Sequence, residues 1–497
     1  MSLKQKTISG LTWSFIDSFA NQGVSFIVGI ILARLLTPQE FGLIGMLTIF
    51  IAISQSFINS GFSQALIRKQ DCTQQDYSTV FFFNIAVGVF FYLLLFVAAG
   101  AIGHFFHEPM LKPLIRVLGL SVIVSSFTLI QTTLLTKRID FRLQTKISLV
   151  AAVLSGLIGI VMAYTGYGVW SLVARITLGF FFSSLLLWYW NKWRPSLVFS
   201  MVSFRTLFAF GGNLLISGLL DTLYRNIYYV IIGKYFSAAE LGHYTRAEQF
   251  KSLPSSYLQS VIGRVSYPVL SSIQDDPPRL KEAYKRTIRS SMLITFVLML
   301  GLAAVAKPTV FALIGPKWEP CVIYLQLLCF VGMTYPLHAI NLNMLYVQGR
   351  SDLAVIIEVI KKVLAVPVII VAIFFGIKAM LLGMILLSFI AYYLNSYWSG
   401  RLINYSWIEQ IKDVTPSFII AAVMSAIVFI EGMFFRLPPL PMLLIQVVTG
   451  ALITFSICEG LRYKDYLYLK DIIKQNFQNK GKSHEFDQET PKQKFLF

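Results

Sequence analysis

The sequence predicts an all-α, polytopic membrane protein of about fourteen transmembrane helices: two six-helix lobes with a parallel pseudo-twofold repeat, plus two extra C-terminal helices. Three observations predict it. Of 497 residues, 56% are hydrophobic and only 13% charged, and the mean hydropathy is +0.68, a balance foreign to water-soluble globules. Apolar runs of about 20 residues, each long enough to cross roughly 30 Å of hydrocarbon, recur from end to end with short polar turns between them. Strand-length alternation is missing, so the backbone hydrogen bonds have to close within helices and not in a barrel.

In order, the spans fall at Ile8–Ala33, Phe41–Ile67, Tyr77–Gly103, Leu111–Thr136, Phe141–Tyr164, Tyr167–Trp190, Arg205–Gly233, His243–Ser272, Tyr284–Ile314, Cys321–Gln348, Leu353–Phe375, Ile377–Arg401, Thr415–Phe435 and Pro439–Gly460. This gives an N-lobe over 1–190, a linker over 191–204 that contains Trp193 and Pro195, a C-lobe over 205–402, two further helices over 403–460 and a polar tail over 461–497. The segment after Met1 continues unbroken with no small-residue cleavage site, so it reads as the first span and not as a cleaved signal. Placing the N-terminus inside puts Arg68/Lys69, Lys137/Arg138/Arg142/Lys146, Lys192/Arg194/Arg205, Arg279/Lys281/Lys285/Arg286/Arg289, Arg350/Lys361/Lys362, Arg401/Lys412 and the basic tail in the cytoplasm. The opposite loops hold only Arg34, Lys112, Arg116, Lys234, Arg246, Lys307, Lys317, Lys378 and Arg436, the asymmetry that the positive-inside rule requires. Both termini are then cytoplasmic.

Charge and motifs narrow the function classes. The net charge of +18 is dispersed through loops and tail, which excludes a nucleic-acid footprint and fits a membrane chain. Cys72, Cys321, Cys329 and Cys458 lack metal spacing, and His104 and His107 have no further ligand nearby. A Walker lysine loop, a dinucleotide fingerprint and a nucleophile elbow are all missing. No metal, cofactor or enzymatic activity is expected.

An internal repeat is visible at an offset of 200 positions: Ala33-Arg-Leu-Leu-Thr-Pro-Gln-Glu-Phe-Gly42 matches Gly233-Lys-Tyr-Phe-Ser-Ala-Ala-Glu-Leu-Gly242. The same offset pairs Asn21 with Asp221, Ser25 with Arg225, Gln55 with Ser255, Asn59 with Gln259 and Gln64 with Arg264. The offset spans an even number of helices, so the halves have parallel topology, with a cavity expected between them.

The densest intramembrane polarity lies in Arg205–Ser272. Asn213, Ser217, Asp221, Arg225 and Tyr228 fall on one helix face; Tyr244, Glu248, Lys251, Ser255 and Gln259 form a stripe on the next helix, with Tyr257, Arg264 and Tyr267 on another. A central charge on a lone span costs roughly 2.5–3.5 kcal/mol, so several in adjacent helices imply a wet or protein-lined interior. Plainer readings compete: the stripe Ser14, Asp17, Asn21 and Ser25 also suits helix packing, Asp221 and Arg225 also suit an intrahelical ion pair, and long stems such as Lys251 also snorkel.

The runs Leu241-Gly-His-Tyr-Thr-Arg-Ala-Glu-Gln-Phe250, Arg264-Val-Ser-Tyr-Pro-Val-Leu-Ser-Ser-Ile273 and Lys281-Glu-Ala-Tyr-Lys-Arg286, with Gly10-Leu-Thr-Trp-Ser14 and the Ala33–Gly42 turn, resemble the polysaccharide transport branch of the multidrug/oligosaccharidyl-lipid/polysaccharide exporter superfamily, and within it the Wzx-type flippases. The resemblance implies alternating access through a central cavity in the bacterial cytoplasmic membrane, with a polyprenyl-diphosphate-linked oligosaccharide for O-antigen, capsule or exopolysaccharide as cargo. For such cargo Arg225, Lys251 and Arg264 suit the diphosphate. Asn21, Gln55, Asn59, Tyr224, Tyr228, Tyr257 and Gln259 suit the sugars, and Asp17, Asp221 and Glu248 suit a coupling H+ or Na+. The expected partners are membrane lipid and the polymerase and glycosyltransferases of the same pathway, around a monomer. A multidrug exporter would instead need an acidic, aromatic cavity, and a membrane enzyme of polysaccharide assembly would need a long outer loop.

The charge asymmetry sets a test of orientation. A single cysteine at Glu319 is labelled by an impermeant thiol reagent added outside sealed cells, and one at Gln274 is not; labelling at Gln274 reverses the topology.

Overall fold

The computed structural model describes residues 3–59, 61–435, 437–471 and 474, with the side chains of 3–12, 14–16, 18, 213 and 256–265 outside that description. Every regular element among the described residues is helical. The chain forms two compact units, Met1–Arg246 with Leu313–Trp318, and Ala247–Ala312 with Glu319–Phe497. The first holds α1 (Leu3–Leu35), α2 (Pro38–Asn59), α3 (Phe62–Arg68), α4 (Gln74–Phe106), α5 (Leu111–Leu118), α6 (Leu120–Ser126), α7 (Leu129–Lys137), α8 (Phe141–Tyr164), α9 (Val169–Trp190), α10 (Met201–Tyr235) and the first turns of α11 (Ala238–Ser271). After the rest of α11 the second continues with α12 (Pro277–Ala304), α13 (Ala306–Leu313), α14 (Glu319–Gly332), α15 (Tyr335–Val347), α16 (Ser351–Leu402), α17 (Trp407–Phe434) and α18 (Pro439–Gly460).

Ten helices among the described residues are long and apolar enough to cross a membrane, eleven if the two parts of α10, bent by 44° around Asn213, count as one span. The protein is a multi-pass membrane protein. α11 is not among the ten, since it carries Glu240, Arg246, Glu248, Lys251 and Arg264. α16 counts once, yet its 52 residues would reach about 78 Å, more than twice the hydrocarbon thickness. Gly376, at φ 88° and ψ 175°, breaks this helix between the two spans expected there.

Two expected spans are interrupted. The span over 111–136 is split at Gly119 and again at Phe127 and Thr128, and hydroxyls bond carbonyls at the second break: Ser125 Oγ donates to Val122 O (2.8 Å) and Thr128 Oγ1 to Ser125 O (2.7 Å). The span over 321–348 is split between Gly332 and Tyr335, where Pro336 opens α15 and Thr334 Oγ1 donates to Val331 O at 3.1 Å. Serine and threonine occupy the breaks because polar backbone at membrane depth needs a local partner.

The repeated turn has a physical reason. Thr37 and Ser237 begin α2 and α11 as caps: Thr37 Oγ1 and its backbone N–H both donate to Glu40 Oε2 (2.9 and 2.7 Å), and Glu240 N donates to Ser237 Oγ at 3.2 Å. One turn later the two helices meet at glycines. A Cβ on Gly42 would lie 1.6 Å from Ala238 O, and one on Gly242 would lie 1.9 Å from Pro38 O. The contact is reciprocal, because Pro38 and Ala238 are themselves 200 positions apart. Beside it the buried Trp318 donates from Nε1 to Ala33 O (2.9 Å) and packs edge-on against Phe41 and His243, while Lys317 Nζ donates to Arg34 O (2.7 Å).

In the second unit, buried amides and hydroxyls tie four helices together. Tyr284 Oη donates to Asn341 Oδ1 (2.8 Å), Ser399 Oγ donates to the same oxygen (2.5 Å), and Asn341 Nδ2 donates to Gln410 Oε1 (3.3 Å), joining α12, α15, α16 and α17. At the end of this bundle Lys285 pairs with Glu409 at 2.6 Å, and Arg289 with Asp465 at 3.1 Å.

The glycine crossing is testable by melting. Gly42→Ala and Gly242→Ala each force backbone apart and lose about 3 kcal/mol, whereas Gly100→Ala, with nothing within 4 Å of the added Cβ, is neutral or stabilising. Equal thermal stability for all three variants would refute the close approach.

Candidate functional site

The polar stripe of α1 is a set of interhelical bonds in the first unit. Asn21 Nδ2 donates to Asp17 Oδ1 and to Ser148 Oγ, and Ser148 Oγ donates to Asp17 Oδ1, all at 2.7 Å. One turn on, Arg175 Nη2 of α9 donates to Ser25 O at 3.4 Å. This face of α1 therefore meets α8 and α9, the geometry of polar residues holding helices together. On α2, Gln55 Nε2 donates to Ser125 Oγ of α6 (2.8 Å), while Asn59 is exposed at the helix end.

α10 lies along α2, α3 and α4 in the same unit. Ser56 Oγ and Thr222 Oγ1, 2.8 Å apart, join it to α2. Asp221 and Arg225 are exposed, Tyr224 is half-buried and Tyr228 is buried. The charged pair thus opens outward from the packed face of its helix, with the two tyrosines grading inward beside it.

In the second unit the structure joins two predicted residues and adds a third. Lys251 Nζ lies 2.7 Å from Glu248 Oε1 and 3.2 Å from Tyr335 Oη, with the ammonium 4.8 Å from the Tyr335 ring centroid. Only 2% of the lysine side chain is exposed, against 27% of the glutamate, so the carboxylate is the accessible end of the pair. Room for the stem comes from Gly332, whose absent Cβ would sit 3.1 Å from Lys251 Cδ. Sequence offered Lys251 as a cation for the diphosphate; in the structure its ammonium is shared between a carboxylate and a phenol. The predicted Tyr257, Gln259 and Arg264 lie where side chains are outside the described residues.

Next to Tyr335, Thr334 Oγ1 is 2.7 Å from Ser388 Oγ and 3.1 Å from His338 Nε2, and Asn395 Nδ2 is 3.2 Å from His338 Nδ1. With the Asn395 amide as oriented, Nδ1 accepts, so Nε2 carries the hydrogen toward Thr334. His338, Tyr335, Ser148 and Ser125 were missed in the sequence, because each meets a partner across a long chain separation, His338 through Asn395. Among the described residues no three of His, Cys, Asp and Glu gather to hold a metal.

Residues 31–323 match the model of a protein family described as polysaccharide biosynthesis protein. The chain belongs to this family. Among relatives of this chain, the lipopolysaccharide biosynthesis protein WzxC of Escherichia coli (strain K12) is 28% identical over 75% of the chain and 76% of its own length. The teichuronic acid biosynthesis protein TuaB of Bacillus subtilis (strain 168) is 26% identical over 71% and 74%. In fold the family member is similar to the lipid II flippase MurJ in an inward closed conformation, at TM-score 0.74 and 14% identity over 92% of this chain and all of that one. It is also similar to an inward-facing multidrug resistance MATE family transporter, at TM-score 0.62 and 16% identity over 77% and 94%.

Breaking the buried pair of this protein has a predictable cost. Glu248→Gln strands the Lys251 ammonium and lowers stability by about 3 kcal/mol, and adding Lys251→Met restores most of it. A single variant that melts like the wild type would mean the pair is not desolvated.

Proposed function

We propose that this protein is a flippase that carries polyprenyl-diphosphate-linked oligosaccharides across the bacterial cytoplasmic membrane for surface polysaccharide synthesis. The observation that carries this reading is the match, across about three quarters of both chains, to relatives named for making lipopolysaccharide and teichuronic acid. The chemistry of the chain supports it. A diphosphate needs cationic donors, and α10 and α11 carry Arg225, Lys251 and Arg264. The amides and phenols of Asn21, Gln55, Asn59, Tyr224, Tyr228, Tyr257 and Gln259 suit a sugar head.

In this reading Glu248 governs Lys251. While the carboxylate is charged, the ammonium is neutralised; a proton or Na+ on Glu248 frees the ammonium for an anionic cargo, which couples an ion to the lipid. Asp17 and Asp221 are the further coupling candidates. Both termini face the cytoplasm, the working unit is a monomer, and the polymerase and glycosyltransferases of the pathway act before and after it. An organic-cation exporter is disfavoured, since α10 and α11 carry six Lys and Arg residues against three Asp and Glu. A role as a membrane enzyme of polysaccharide assembly is disfavoured by outer loops too short to build a catalytic site.

The reading is tested by complementation. Arg225→Ala and Arg264→Ala accumulate in the membrane yet fail to restore surface polysaccharide in a flippase-deficient strain. Normal polysaccharide from both variants would remove the cations from the mechanism.

A further inference from the structure

The first unit carries an apolar groove of about 430 Å³, lined by Val124, Phe127, Phe181, Ser184, Leu185 and Trp188. It lies between α6 and α9, inside stretches apolar enough to cross a membrane, so the solvent it meets is hydrocarbon. The break after α6 helps to shape it: the carbonyl of Phe127 accepts from Trp188 Nε1 at 3.1 Å, which fixes the indole at the groove end. Over that ring, 5.3 Å from its centroid, sits the guanidinium of Arg194. Arg194 Nη1 donates to Asn191 O (3.1 Å) and Trp193 O (2.9 Å), so the charge is held in place and does not sweep freely.

Among the described residues Arg194 enters no ion pair, and the exposed Lys192 stands two positions away. Two carbonyls immobilise one nitrogen of the fork, and Nε and Nη2 take part in none of the described hydrogen bonds. A planar cation so oriented suits phosphate oxygens.

We propose that this groove is a binding site for one anionic glycerophospholipid: an acyl chain lies along α6 and α9, and the phosphate sits on Arg194 with Lys192 beside it. Basic residues at the membrane-facing end of a helix pair recognise anionic headgroups, and the fixed indole beneath the cation provides the amphipathic surface of an interfacial anchor. The groove shares no lining residue with the polar stripes of α10 and α11, and it does not depend on the cargo proposed above.

Native mass spectrometry of the full chain in detergent, titrated with phosphatidylglycerol or phosphatidylcholine, tests it. The wild type retains phosphatidylglycerol preferentially. Arg194→Gln, which removes the cation and keeps an amide donor in its place, lowers that retention about fivefold without changing phosphatidylcholine, and Ser184→Trp, which fills the groove, removes bound lipid altogether. Equal retention of the two lipids by the wild type, or unchanged phosphatidylglycerol in Arg194→Gln, overturns the proposal. So does loss of added polyprenyl phosphate, but not of phosphatidylglycerol, in Ser184→Trp, which would give the groove to the carrier tail.

Discussion

A polar side chain that enters hydrocarbon has to bring or find a partner there, and the architecture of this chain depends on how those partners are found. Asp17 and Asn21 find Ser148; Lys251 finds Glu248 and Tyr335; Tyr284 and Ser399 share the oxygen of Asn341. Each group ties helices distant in sequence into one arrangement. Serine and threonine perform the same service for the backbone where a span breaks. Removal of one partner is costly out of proportion to the bond itself, because the other is left in a medium that cannot solvate it.

The sequence disclosed much of the fold. Hydropathy located the helices to within a few residues for α8, α9 and α18, and Glu40/Glu240 with Gly42/Gly242 marked the turn whose caps and crossing the structure explains. Local rules suffice for the caps, since Thr37 and Glu40 lie within one turn of each other. The breaks at Gly119 and Thr128 were not legible: neither is a strong helix stop, and hydropathy is blind to a bend that keeps the span apolar.

The candidate site was half legible for the same reason. Helical spacing put Glu248 and Lys251 on one stripe, and they do meet, at i and i+3. Tyr335 lies 84 positions from Lys251 and Ser148 lies 127 from Asn21, so no period in the chain points to either. For α1, the choice between a cargo-facing stripe and a packing stripe required knowing which neighbour it meets, and periodicity specifies a face without specifying what lies opposite. The bonds to α8 now give Asp17 and Asn21 a structural role, on which any part in transport has to be built.

The short segment Leu313–Trp318 belongs to the first unit, although the residues on both sides of it belong to the second. Its indole fills a place among Ala33, Phe41 and His243. The first unit therefore stays unfinished until residues 247–312 have been made, a wait of several seconds at roughly 5–20 residues per second. Assembly cannot run strictly from one end of the chain to the other: the early helices leave the insertion machinery with a gap in their packing and close it with a residue translated from the far half of the message.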